Sequence, residues 1–188
     1  MSVKGEHTRA DIVERAAQLF YAQGYDRTSF SDIVAAVGLH RGNIYHYFKT
    51  KEELLEAVIQ HRVREFSALL AQWDARYTAP RARLLAFVHM IVLRQADLVQ
   101  HGCPIGTLNS ELAKDQRPLQ RSARALFELF DGWLTEQFRA LGYDKDAHAR
   151  ALHLLGRAQG VSLLAHVYED ARLLRREVAA LEDWIGTL

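Results

Sequence analysis

Apolar positions along the chain recur with helical spacing and never with sustained period-two alternation, so helices are predicted and no sheet. Thr8 followed by Asp11 has the pattern of a capping box. Ile12, Ala16, Leu19 and Phe20 then fall on one face of a first helix, which Gly24 ends. A second start signal lies at Ser29 with Asp32 three residues on. Ile33, Val34 and Val37 give that short helix its apolar side, and Gly38 stops it. Leu39 and His40 form a tight turn before a third short helix, Arg41 to Phe48. A long helix from about Lys51 carries Leu54, Leu55, Val58, Ile59, Phe66, Leu69 and Leu70. Leu84 to Val99 is apolar nearly all round, as a buried helix is. His101 to Gly106 breaks the pattern, and Pro104 suits the first turn of the next helix. Further helices are predicted from about Leu119 to Leu141, Ala147 to Tyr168 and Ala171 to Ile185, giving about nine in all. The fold class is all-α.

The 188 residues are 49% apolar and 25% charged, with a net charge of +1, the balance of a folded globular protein. The longest uncharged stretch, Leu98 to Ser110, holds two glycines and a proline and is too short to span a bilayer. The first residues have no apolar core to serve as a secretory signal. One cysteine excludes an internal disulfide framework. A cytoplasmic protein with no membrane partner is expected. Charge distribution says more than the total. Residues 1–51 carry seven basic and five acidic side chains, and Ile33 to Thr50 has no acid at all. That acid-free window contains the third helix.

Two short helices joined by a glycine-containing turn form the pattern of a helix-turn-helix. Small residues at Ala35, Ala36 and Gly38 permit close approach, and Ile33, Val37 and Ile44 supply a small shared core. The third helix then turns Arg41, Gly42, Asn43, His46 and Tyr47 outward. Arg and Asn are able to hydrogen-bond base edges bidentately. Tyr45, Lys49 and Lys51 have the reach for phosphates. Ser29 and Ser31 open the second helix and are candidates to hold the nucleic-acid backbone from the other side. The alternative for Tyr45 and Tyr47 is packing of the small domain, and for Lys51 an ordinary place in the first turn of its helix.

The segment DIVAAVGLHRGNIYHYFKTKEELLEAV, residues 32–58, resembles the signature of TetR/AcrR-family transcriptional regulators. The preceding RAAQLFYAQGYDRTSFSD also fits, so the resemblance covers about residues 8–60. HGCPIGTLNSEL and LLRREVAALEDWI resemble later segments of some members. Two positions depart from the family pattern. His40 stands where Ser or Thr is usual, and Asn43 where a small residue is common. The resemblance implies an N-terminal three-helix DNA-binding domain, residues 1–50, and a larger C-terminal helical domain, residues 51–188, for ligand binding and dimerisation. It implies a homodimer on a palindromic double-stranded operator, with two recognition helices roughly 34 Å apart. It further implies a repressor released by a small molecule that favours the other conformation.

Candidate ligand-pocket residues are Phe66, Leu70, Phe87, Met90, Ile91, Cys103, Ile105, Leu108, Phe127 and Phe130, with Asn109 and Glu111 as polar anchors, for an apolar or amphipathic effector. The same apolar residues could simply be core. The helix after Ala147 is apolar on two sides, which calls for a second partner. Leu155, Gln159, Ser162 and His166, with Leu174, Val178, Leu181 and Ile185 of the last helix, are therefore candidates for a four-helix dimer interface. Cys103 before Pro104 could be a thiol sensor or only packing. Nine histidines show no helical metal-ligand spacing, so no metal and no cofactor is expected. No catalytic motif is visible. An all-helical enzyme and a protein-binding adaptor are the competing classes, and DNA affinity separates both from a regulator.

Overall fold

The computed structural model describes residues 3–188, with the backbone alone at Val3, Lys4, Arg41 and Asp115. Among the described residues ten helical segments follow one another: α1 (Val3–Gln23), α2 (Phe30–Val37), α3 (Arg41–Tyr47), α4 (Lys51–Arg76), α5 (Pro80–Leu93), α6 (Gln95–His101), α7 (Pro104–Asp115), α8 (Arg117–Ala140), α9 (Ala147–Val167) and α10 (Ala171–Gly186). There is no strand among the described residues. Helical spacing without alternation thus yields the all-α fold expected.

Two boundaries differ from the sequence reading. Thr8 lies inside α1, which starts at Val3, so Thr8 and Asp11 do not cap it. The apolar run from Leu84 to Val99 is two helices, with Arg94 capping the end of α5 and the start of α6 at φ −102° and ψ 16°. The ladder survives the break, because Arg94 N–H still donates to Met90 and Arg94 C=O accepts from Leu98. No glycine or proline marks the change of course, so the pattern read as continuous. Leu93, just before it, is 85% exposed.

The chain forms two compact units. One comprises residues up to Arg64 together with Thr107–Leu126; the other comprises Glu65–Gly106 and Phe127–Leu188. The N-terminal unit therefore extends well beyond the 1–50 expected for it. In this unit α1 packs on α2, and α2 on α3. Ile12, Ala16 and Phe20 recur every fourth residue and bury one face of α1 beside Ile33, Ile44, Phe48, Leu54 and Leu55. Leu112 of α7 and Ala123 of α8 belong to the same core. Gly38 ends α2 in the left-handed region, φ 70°, where its N–H donates to Val34. That conformation suits glycine and sets the sharp angle between α2 and α3.

In the second unit α10 packs against α5, α9 and α6, and α9 against α5 and α6. Leu174, Val178, Leu181 and Ile185 give α10 one buried stripe. Leu84, Phe87, Val88 and Ile91 do the same for α5.

Candidate nucleic-acid interface and effector cavity

The helix-turn-helix is fixed locally by capping. Ser29 Oγ accepts from Asp32 N–H at 3.1 Å, while Asp32 Oδ2 accepts from Ser29 N–H at 2.7 Å. These bonds hold the Asp32 carboxyl below its ordinary pKa. Ser29 is thus the N-cap of α2, and Ser31 is exposed on its first turn. α3 has a weaker start. His40 occupies its N-cap with no side-chain cap bond, consistent with the departure seen in the sequence.

Two fully buried side chains, Ile44 and Phe48, pin α3 to the core. Their burial leaves Gly42, Asn43 and His46 exposed on its other side. The Arg41 side chain lies outside the described residues. Tyr45 is half-buried and stacks on Phe30, ring centroids 4.8 Å apart. Tyr47 is half-buried against the core and meets His46 edge-on at 5.2 Å. Lys49 is exposed, and its Nζ donates to the Tyr45 carbonyl at 2.6 Å. Thr50, which sequence reading passed over, caps α4 by accepting from Glu53 N–H at 3.1 Å. Thr50 followed by Glu53 is a capping-box spacing that could have been found.

Lys51 has its partners within the protein. Its Nζ donates to the carbonyls of Tyr25, at 3.0 Å, and Thr28, at 3.2 Å, and lies 4.1 Å from the Tyr25 ring centroid. The turn it holds, Gly24–Thr28, joins α1 to α2. Glu111 of α7 binds the same turn through its amides, accepting from Tyr25 N–H at 2.9 Å and Asp26 N–H at 2.8 Å. Gly24 has φ +87°, and a Cβ there would lie 3.1 Å from Glu111 Oε1. A cation on the carbonyls and a carboxylate on the amides thus fix the turn that feeds the helix-turn-helix. Burial and the nearby Glu52 carboxylate push the Tyr25 phenol pKa upward.

The second unit contains a cavity of about 580 Å³, including solvent at its mouth. Phe66, Phe87, Met90 and Ile91 line it, as do Cys103, Ile105, Phe127 and Phe130, all expected from the sequence. Phe130 meets Phe66 edge-on at 5.1 Å and Phe87 at 5.8 Å. Four expected residues do not line it, Glu111 among them, since its carboxylate is bound to the amides of the Gly24–Thr28 turn. Leu70 is buried away from the cavity; Leu108 packs on the N-terminal core; Asn109 Nδ2 donates to the Ala123 carbonyl at 3.2 Å. Cys103 Sγ accepts from Gly106 N–H at 3.5 Å.

Arg94, Leu98, Pro104 and Ala158 also line the cavity and were missed. So do Leu155, Gln159 and Ser162, which the sequence suggested for a dimer interface. These residues are taken up within the subunit itself. Leu174, Val178, Leu181 and Ile185 are buried in the subunit's own packing. His166 is half-buried, and its Nδ1 donates to the Val99 carbonyl at 2.9 Å. The exposed apolar side of α9 instead carries Leu152, Leu163, Leu164 and Val167, with Tyr168 beyond it. Periodicity showed two apolar sides on this helix but not which one the subunit keeps.

Comparison with known proteins identifies this architecture. Residues 12–58 match bacterial regulatory proteins of the tetR family, and residues 80–180 match the LmrA/YxaF-like transcriptional regulator C-terminal domain. An HTH-type transcriptional regulator from the lacX 3' region of Lactococcus lactis subsp. lactis is 30% identical over 172 residues, covering 89% of this chain and 88% of its own. The crystal structure of a TetR transcriptional regulator from Chloroflexus aurantiacus superposes with a TM-score of 0.85 at 28% identity, covering 98% of this chain and 97% of its own. DhaR of Mycobacterium sp. (strain GP1), an HTH-type transcriptional repressor, is 27% identical over 127 residues, covering 67% of this chain and 61% of its own. The chain belongs to the TetR family of helix-turn-helix transcriptional regulators, a class that acts by binding DNA. Among the described residues, no helix is long and apolar enough to cross a membrane.

Proposed function

We propose that the protein is a repressor that binds a palindromic operator as a homodimer and is released by a small molecule held in the second unit. The observation that carries this reading is the mounting of α3. Ile44 and Phe48 are fully buried, and Gly42, Asn43 and His46 project from the opposite side of a segment without acids. A rigid polar helix in an acid-free window suits the major groove. Arg41, Asn43 and His46 read base edges in this reading, while Lys49, Tyr45 and the start of α2 at Ser29 and Ser31 hold phosphates.

Pairing is assigned to the exposed side of α9. Leu152, Leu163, Leu164 and Val167 lie near Gly156 and Gly160, whose missing Cβ atoms face open space. An apolar face with small residues at its centre permits close approach of a second copy. The name of DhaR supports the repressor reading by analogy. The apolar cavity supports effector control.

The test begins with selection of genomic fragments by the purified protein, then fluorescence anisotropy on the site recovered. Asn43→Ala is expected to relax base preference at one position of each half-site, a cost of about 1–3 kcal/mol. A selection that yields no inverted repeat, or an unchanged preference in Asn43→Ala, rejects the recognition face.

A further inference from the structure

We propose that the cavity selects aromatic carboxylates, with Arg94 as the carboxylate partner and Gln159 as a hydrogen-bonding group inside; the inference deepens the effector reading and rests on it. Four rings, those of Phe66, Phe87, Phe127 and Phe130, line the cavity and favour a planar aromatic body. Against these walls Arg94 is the one ionised side chain among the described lining residues. Among the described residues its guanidinium has neither a hydrogen-bond nor an ion-pair partner. A guanidinium beside an apolar cleft matches a carboxylate in charge and in bidentate geometry.

Gln159 supplies the second polar group. Its amide likewise has no hydrogen-bond partner among the described residues. A Cβ on Gly106 would lie 2.5 Å from Gln159 Oε1, so the amide occupies space that only glycine leaves open. An amide without a partner in an apolar surrounding gains a bond when a polar ligand arrives. A cationic ligand would meet Arg94 with like charge, and a plain hydrocarbon would leave both polar groups unmatched.

The experiment uses isothermal titration calorimetry on the full chain without DNA. The probes are 2-naphthoate, neutral 2-naphthamide and cationic 2-naphthylmethylammonium. The carboxylate is expected to bind roughly tenfold more tightly than either relative, the scale of one solvent-accessible charge-assisted pair. Arg94→Gln should remove that preference while leaving 2-naphthamide binding unchanged, which also reports an intact cavity. Ala158→Trp, which fills the cavity, should abolish binding of all probes. The proposal is overturned by no detectable binding of 2-naphthoate, by equal or tighter binding of the amide or the cation, by an unaltered preference in Arg94→Gln, or by naphthoate binding that survives Ala158→Trp. Operator affinity is measured separately on the same preparations. Loss of operator binding with the carboxylate preference intact would reject the repressor reading and not this one.

Discussion

Removing the Glu111 carboxylate tests how the recognition unit is held. In Glu111→Ala the amides of Tyr25 and Asp26 lose their acceptor, at 2.9 Å and 2.8 Å in the native protein. Hydrogen bonds to a charged group contribute about 1.5–3 kcal/mol each. Both figures require discounting. Asp26 N–H is exposed and gains water, whereas Tyr25 N–H is partly buried and gains less. A net loss of about 1–3 kcal/mol in urea unfolding is therefore expected. Glu111→Gln keeps one acceptor oxygen but turns an NH₂ toward a backbone N–H, so it should fall between wild type and Glu111→Ala. Lys51→Met is the companion variant. It retains an unbranched apolar chain beside the Tyr25 ring but removes the donor to both carbonyls. It should lower stability and leave the salt dependence of operator binding unaltered, where loss of a phosphate contact would reduce the slope by about 1. A change in unfolding free energy below roughly 0.5 kcal/mol in Glu111→Ala, the range of ordinary surface substitutions, would refute the strut. So would a reduced salt slope with unchanged stability in Lys51→Met.

Three further outcomes are expected. Phe48→Ala empties a fully buried ring site beneath α3 and should cost about 3–5 kcal/mol by denaturant titration, with operator affinity falling alongside. The Asp32 carboxyl is held below its ordinary pKa by Ser29, so its contribution is complete above the unfolded carboxyl's range and lost as pH falls through its folded value. The stability gap between wild type and Asp32→Asn should therefore be constant at neutral pH and close at acid pH; a gap that widens on acidification contradicts the capping account. Leu164→Glu on the exposed side of α9 should yield a monomer by light scattering with normal helical content, and a persistent dimer would move the interface elsewhere.

What could be read from the chain was mostly local. The Ser29–Asp32 capping box and the Gly38 stop depend on residues within one turn, and both are in place. Helix periodicity likewise located α4, α8, α9 and α10 to within a few residues. Thr8 misled because a Ser/Thr–acid spacing also occurs inside helices, and only the residues before it set the true start. Lys51 fitted a phosphate contact by its neighbours in sequence, yet its partners Tyr25 and Thr28 lie 26 and 23 residues away. The Glu111 contacts span 86 and 85 residues, and a carboxylate bound to backbone amides leaves no complementary charge to search for. For α9 the ambiguity was geometric. Two apolar sides were evident, but which one lines the cavity depends on how α5 and α6 pack against it.

The N-terminal unit draws its chain from two places, residues up to Arg64 and Thr107–Leu126. A chimera that exchanges reading heads between relatives by a single splice after the helix-turn-helix would leave Glu111, Leu112 and Ala123 behind. Such a hybrid arrives with a foreign brace and an incomplete floor. Successful transplants need a second junction, so that the 107–126 stretch travels with its own head.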